Sequence, residues 1–267
     1  MATDSSDYFE INRINWNKRT ELHIRSDFYQ MEDFIQGHCT LQNVEKNLFP
    51  DLQGKDLLHL QCHFGQDSIS LSRLGAHVTA VDISDRAIDY ARKFAEQLQT
   101  ETTFICCNLY DLPNHDDKTY DLIFTSYGTV GWLPDLKAWA ELISTKLRKN
   151  GVFVMVDFHP VVWMFDDDFT EVAYDYFNRQ AYIESEIGSY ADKNASDKID
   201  SVFWNHSLDE ILQNLIDQGL QINHFKEYDY SPYNCFKGCE KIADGQFIIQ
   251  KMGRKIPLLY SIQATKL

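Results

Sequence analysis

From Lys55 onward, short apolar runs alternate with longer stretches whose apolar residues recur at helical spacing. Leu57, Leu58 and Leu60 form a first run that ends in turn-forming residues, and Ile69, Leu71 and Leu74 follow at helical spacing. A second run, His77 to Val81, ends on Asp82. Residues 84 to 99 open on a Ser N-cap and place Ala87, Ile88, Ala91, Phe94, Ala95 and Leu98 on one face of an amphipathic helix. Thr102 to Cys107 predicts a third strand, Tyr120 to Ser126 a fourth and Gly151 to Phe158 a fifth. Between the last two, Pro134-Asp135 starts a helix carrying Leu136, Trp139, Leu142, Ile143 and Leu147, with its stop expected at Lys149-Asn150-Gly151. Strands alternating with helices predict an α/β fold built on a Rossmann-like, doubly wound, mostly parallel sheet.

The flanks break this pattern. Residues 8 to 49 carry helix-like spacing (Tyr8, Ile11, Trp16, then Phe28, Met31, Phe34, Ile35) and predict two or three short helices laid over the sheet as a cap, with Ser26 or Asp27 opening one and Gly37 ending it. Residues 160 to 205 alternate locally at Val172, Tyr174 and Tyr176 and include the polar segment Ala191 to Asp200, which predicts an inserted antiparallel ribbon with a mobile tip. A helix from His206 to Gly219 and two strands, Leu220 to Tyr230 and Ile256 to Ala264, then close the sheet.

Composition narrows the class. A length of 267 residues suits one α/β domain, and 44% hydrophobic with 24% charged residues is ordinary for a globular chain. The net charge of -15 argues against a nucleic-acid partner, since polyanions are bound through Lys and Arg clusters. The start, MATDSSDYFEINR, has no signal-peptide pattern, and stretches such as Val152 to Val156 fall far short of the ~20 residues of a membrane helix, so a cytoplasmic location is expected. Cys39, Cys62, Cys106, Cys107, Cys235 and Cys239 are read as free thiols, with no second pair to complete a zinc site around Cys235 and Cys239. Asp166-Asp167-Asp168 reads as a solvated turn, and no metal is expected.

The candidate chemistry sits in the stretch KDLLHLQCHFGQDSISLSRLGAHVTAVDIS, Lys55 to Ser84. Strand, tight turn, helix and a second strand ending on an acid about twenty residues beyond the turn form the layout of a nucleotide-binding βαβ unit. The turn's N–H groups and the helix N-terminus approach the cofactor, and Asp82 accepts from ribose hydroxyls. Around the turn only Gly65 remains of the usual glycines, with Gln61 and His63 standing where others are expected. Asn108 and Leu109 follow the third strand on the side where ligands bind, placed to meet a base. In the cap, Trp16, Arg19, His23 and Tyr29 are polar-tipped groups able to close over a ligand.

Four stretches together resemble the class I S-adenosylmethionine-dependent methyltransferases over roughly residues 50 to 267. They are LLHLQCHFGQDS at the family's glycine-rich turn, VTAVDIS at its ribose strand, CCNLYDLP at its adenine loop, and YDLIFTSYGTVGWLPDLKAWAELISTKLRKNGVFVMV at its fourth strand, helix and fifth strand. The last two strands resemble that fold's reversed hairpin, so a seven-stranded sheet with one reversed C-terminal strand is implied. The chain is also similar to a subgroup of small-molecule methyltransferases with LHLQCHFGQD at the turn and an N-terminal Trp-Asn-x-Arg, here Trp16-Asn17-Lys18-Arg19. The resemblance implies S-adenosylmethionine as cofactor, S-adenosylhomocysteine as product and no metal. It places Gln61, Cys62, His63, Gly65, Asp67, Ser68, Asp82, Ile83, Asn108, Leu109, Tyr110, Ser126, Tyr127, Trp16 and Arg19 at the cofactor, with His59 replacing the family's first-strand acid. A single domain is expected: cap 1–50, cofactor-binding core 51–160, inserted ribbon or substrate lid 161–205, and closing segment 206–267.

Methyl transfer requires alignment of donor and acceptor, with a base where the acceptor is a hydroxyl or ammonium. His159, just past the fifth strand, is the candidate base or orienting group. Tyr29, Tyr127, Trp132, His159, Trp163, Tyr228 and Tyr233 are candidates for the wall around a small-molecule acceptor. Two other readings stay open: a methyltransferase fold that binds the cofactor without turnover and serves as an interaction or sensor module, and an NAD-dependent oxidoreductase, which the Asp82 layout alone permits. No membrane partner is expected, and the chain is read as a monomer or homodimer.

Overall fold

The computed structural model describes residues 5–192 and 198–267. The chain opens with one long helix, α1 (Ser5–His23), followed by a 3-10 turn at Asp27–Tyr29 and two short helices, α2 (Met31–Ile35) and α3 (Asn43–Lys46). The core then runs β1 (Asp56–Leu60), α4 (Gln66–Arg73), β2 (His77–Asp82), α5 (Asp85–Gln97), β3 (Thr103–Cys106), β4 (Tyr120–Ser126), α6 (Leu136–Lys146) and β5 (Leu147–Phe158). An insert contributes β6 (Tyr182–Ile187) and β7 (Lys198–Phe203). The chain closes with α7 (Leu208–Asp217), β8 (Leu220–Tyr228), β9 (Cys239–Ala243), β10 (Gln246–Ile249) and β11 (Leu259–Lys266).

Seven strands form one sheet in the order β3-β2-β1-β4-β5-β11-β8. Neighbours from β3 to β5 pair in parallel, whereas β11 runs antiparallel to both β5 and β8. The expected reversed strand is therefore β11. Both faces of the sheet are covered, which is why its central strands read as near-continuous apolar runs rather than alternating ones. Successive residues feed opposite layers: Leu57, Phe124 and Val154 pack with α4 and α5 residues such as Ile69, Ala87 and Ala91, while Leu58, Ile123 and Phe153 pack with Trp139 and Ile143 of α6. The helices start where their caps dictate. Ser84 Oγ accepts from the Ala87 N–H, and Asp135 accepts from the N–H groups of Lys137 and Ala138.

Three expectations change. The predicted short cap helices are led by a single 19-residue helix, α1. Helix α6 stops at Lys146, not at 149–151, because Leu147 is already extended and pairs with Tyr120 of β4. The buried Lys146 ammonium is anchored to Asp116 at 3.3 Å beside that strand, and Asn150 takes a left-handed φ of 62° further on. The insert is a ribbon, but its ladder is β6 with β7; Val172 makes only an isolated bridge to Phe165, and Tyr174 and Tyr176 lie in no strand. Residues 193–197 of the expected ribbon tip lie outside the described residues. The β9–β10 hairpin was not foreseen.

Candidate functional site

The turn after β1 holds three residues in left-handed backbone: Gln61 and His63 at φ 52° and Gly65 at φ 80°. For Gln61 and His63 this geometry costs about 1 kcal/mol or more each, since Cβ crowds the following carbonyl. The glycine-like backbone path is thus kept without the glycines. Gly65, the N-cap of α4, cannot be replaced so easily, because a Cβ there would stand 2.7 Å from the Phe104 ring and 3.0 Å from Ala91. At the end of β2, the Asp82 carboxylate accepts from the His63 N–H at 2.8 Å and from the Ser84 N–H at 2.9 Å. Burial pushes its pKa up to about 6 against the pull of these donors.

A cavity of about 1210 Å³ opens at the carboxyl ends of the parallel strands, where Asp82, Ser126 and Asp157 lie, which is where open α/β sheets bind ligands. Gln61, Cys62, His63, Gly65 and Asp67 line it from the turn and the first residues of α4. Asp82, Ile83, Asn108 and Leu109 line it beside β2 and β3. Ser126, Tyr127 and Trp132 come from the β4 end, Trp16, Arg19 and Tyr29 from the cap, and Trp163 and Tyr233 from the far wall. Its volume exceeds the range of about 300–1,000 Å³ usual for one small ligand, which leaves room for a nucleoside and a second molecule.

Five expected residues stand outside this wall, among them His23 of the cap, which is fully buried. Ser68 turns inward and its hydroxyl bonds His59 Nδ1 at 2.8 Å, a buried pair occupying the place of the family's acid. Burial holds His59 down to about 3, so it is neutral and supplies no charge. Tyr110 donates to the Asp135 carbonyl at 2.9 Å at the start of α6. Tyr228 bonds Ser261 at 3.2 Å. His159, the candidate base, is buried, with Nε2 on Glu227 of β8 at 2.8 Å and Nδ1 accepting the Val161 N–H at 3.1 Å. Both ring nitrogens are committed to the fold, and burial holds the pKa below the usual range despite Glu227.

The cap closes the cavity through α1. The Arg19 guanidinium lies 5.8 Å from the Trp16 ring and 5.9 Å from that of Trp132, and pairs with Glu186 of β6 at 2.9 Å. The fully buried His23 links the insert to the turn, with Nε2 3.1 Å from Ser189 Oγ and Nδ1 2.9 Å from His63 Nε2. Burial depresses both imidazoles, His63 to about 3, so both are neutral at pH 7.

Two acids escaped the sequence reading as site residues. Asp157, near the end of β5, receives the N–H groups of Gly128, Thr129 at 3.0 Å, Val130 at 3.3 Å and Phe158 at 2.7 Å, and the Thr129 hydroxyl at 2.9 Å, so it shapes the loop after β4 that lines the cavity. Its signal was the one that singled out Asp82, an acid ending a buried apolar run. Glu45 of α3 accepts from the Gln42 N–H and from Tyr127 Oη. A Glu three residues beyond a helix start gives no hint of such burial. Among the described residues no group of three or more His, Cys, Asp or Glu is placed to hold a metal, and no helix is long and apolar enough to cross a membrane.

A family model described as a methyltransferase domain matches residues 57–151, the span from β1 into β5. An uncharacterized methyltransferase of Bacillus subtilis, YbaJ, is 25% identical over 189 residues, covering 70% of this chain and 74% of the relative. The ubiquinone biosynthesis O-methyltransferase of Coxiella burnetii is 36% identical over 111 residues, 42% of this chain, and the match spans about half of that relative, 46%. In structure, an S-adenosylmethionine-dependent methyltransferase of Clostridium acetobutylicum superposes with a TM-score of 0.55 at 17% identity, covering 94% of this chain and 98% of that one. One from Methanosarcina mazei gives 0.57 at 18% identity, covering 85% and 98%. Residues 57–151 thus match a methyltransferase domain, and the fold is the one seen in S-adenosylmethionine-dependent methyltransferases. The tight turn at Gly65 and the buried carboxylate of Asp82 fit S-adenosylmethionine, the cofactor named for those structures.

Proposed function

We propose that this enzyme methylates a small-molecule acceptor enclosed between the sheet's carboxyl edge, the cap and the insert. The observation that carries the reading is the joining of the β1–α4 turn, the Asp82 carboxylate and an aromatic wall in one cavity. S-adenosylmethionine, when bound, supplies an electrophilic methyl group open to in-line displacement. Asp82 accepts from the ribose hydroxyls, Asn108 and Leu109 face the base, and Tyr29, Tyr127, Trp132, Trp163 and Tyr233 exclude water and orient the acceptor. Single-domain organisation follows, with 1–50 and 161–205 closing over 51–160 and 206–267 completing the sheet.

The acceptor class draws its support from the cavity's size and its burial under the cap. The curated relative that acts in ubiquinone biosynthesis points the same way, as does the similarity in fold to a geranyl diphosphate C-methyltransferase. Proton removal is not assigned to His159, whose two nitrogens are occupied. The test is a calorimetric titration of S-adenosylhomocysteine into wild type and Asp82→Ala. Binding that weakens about tenfold or more in the variant supports the site; absence of binding to the wild type ends the reading.

A further inference from the structure

The insert's side of the cavity holds two buried polar atoms that the fold leaves unused. Ser201 of β7 and Asn205 just beyond it both line the cavity and are each only 2% exposed. Ser201 Oγ and Asn205 Oδ1 nonetheless hydrogen-bond to nothing among the described residues. Buried polar atoms are nearly always paired, so two orphans in the wall of a ligand cavity point to a ligand.

Their neighbours fix the chemistry. Asn205 Nδ2 donates to the Pro160 carbonyl at 3.1 Å and to the Asp175 carbonyl at 2.9 Å, which spends both amide hydrogens and leaves Oδ1 as an acceptor. Ser201 stands directly across the ladder from Glu184 of β6, so the two side chains share one face of the ribbon. One oxygen of the Glu184 carboxylate accepts from the Tyr174 hydroxyl, and the Tyr174 ring meets Phe203 edge-on at 5.9 Å. Phe203 lies midway along the chain between Ser201 and Asn205, and Tyr174 precedes the Asp175 carbonyl that holds Asn205. Ser201, Glu184, Tyr174, Phe203 and Asn205 thus form a closed circuit of neighbours, and all five line the cavity.

This patch accepts hydrogen bonds and carries negative charge. The Arg and Lys of the cavity wall are committed elsewhere, Arg19 to Glu186 at 2.9 Å and Lys237 to Asp168 at 2.6 Å. A substrate ending in a carboxylate or phosphate would meet like charge here. One ending in an ammonium group finds a carboxylate, two neutral acceptors and two aromatic rings. We propose that the substrate carries an amino group and that this patch anchors it. Asn205 Oδ1, Ser201 Oγ and the Glu184 carboxylate accept from its N–H groups, while Tyr174 and Phe203 cover its carbon skeleton. This rests on the methyltransferase reading above and narrows its small-molecule substrate to amines.

The test uses 2-phenylethylamine, 2-phenylethanol and phenylacetate, which share a ring on a two-carbon arm and differ in the end group. Each is titrated calorimetrically into protein saturated with S-adenosylhomocysteine, with circular dichroism as the check on folding. Wild type is expected to bind the amine at least about tenfold more tightly than the alcohol or the acid. Glu184→Gln keeps an acceptor for Tyr174 and removes the charge; it is expected to weaken the amine about tenfold and the alcohol by no more than about twofold. Ser201→Ala is expected to weaken the amine about threefold, with S-adenosylhomocysteine bound within about twofold of wild type. Its Tm should be no lower than that of wild type, because the buried hydroxyl it removes has no partner to lose. A fall in Tm with unchanged affinity for the amine would assign the hydroxyl to the fold and overturn the proposal. Equal losses of amine and alcohol in Glu184→Gln would also overturn it, as would a wild type that does not prefer the amine or binds none of the three probes. Those outcomes leave the methyltransferase reading intact, whereas failure of S-adenosylhomocysteine to bind wild type would end both.

Discussion

The hydroxyl of Tyr127 donates to the Glu45 carboxyl at 2.5 Å, which ties a residue of the cavity wall to the helical cap. Burial pushes Glu45 up to about 8 from 4.5, in opposition to Tyr127 and the Gln42 N–H. The folded chain therefore keeps a proton that the unfolded chain releases as pH rises past 4.5. The stability that this group contributes is full below pH 4.5 and is lost as pH climbs through about 8. Glu45→Gln should flatten the fall of Tm across that interval; parallel curves for wild type and variant would refute the assignment.

Asp157 satisfies four backbone N–H groups and a hydroxyl around the loop that follows β4. Asp157→Ala orphans all five in a buried site, with an expected loss of about 3 kcal/mol or more in urea unfolding. Because Gly128, Thr129 and Val130 line the cavity, affinity for S-adenosylhomocysteine should fall as well. A variant as stable as wild type would show that the loop holds its shape by other means.

Gly65→Ala combines a φ of 80° with a contact of 2.7 Å to Phe104. The expected cost is about 2 kcal/mol or more. Adding Phe104→Leu should recover the part due to the contact and leave the backbone part, a separation that a double-mutant cycle on thermal unfolding measures.

His159→Ala removes the buried bond to Glu227 and the acceptor of the Val161 N–H. A loss of about 1–3 kcal/mol is expected, with affinity for S-adenosylhomocysteine unchanged within about twofold. A large loss of affinity with unchanged Tm would return this residue to the site.

The core was legible because its signals are local: apolar runs, the Ser84 and Asp135 caps, and the acid at 82 that ends β2. The length of helix α1 was not, and its residues say why. The side chains it buries include Asn12, Asn15, Arg19, Thr20 and His23, so its inward face is polar and leaves no apolar stripe to read. Thr20 bonds the Trp16 carbonyl within the helix, and the others reach carbonyls, a carboxylate, a hydroxyl and an imidazole far along the chain. The same holds for His159, whose place beyond β5 suggested the cavity, while a rotation of its ring toward Glu227, invisible in the sequence, took it away. Gln61 and His63 read as departures from a glycine pattern; only their backbone angles show that the path is preserved.

Asn12 pairs with the Val202 backbone as a strand edge would, donating to its carbonyl at 2.8 Å and accepting from its N–H at 2.9 Å, while Asn15 donates to the Asp200 carbonyl. These partners are 190 residues apart for Asn12. During synthesis, therefore, α1 waits on the order of ten seconds or more before β7 exists to receive it. A greasy helix left waiting so long would be an aggregation hazard. A helix whose hidden face is made of amides and a guanidinium waits in water at little risk, and finds its seat only when β7 has been made.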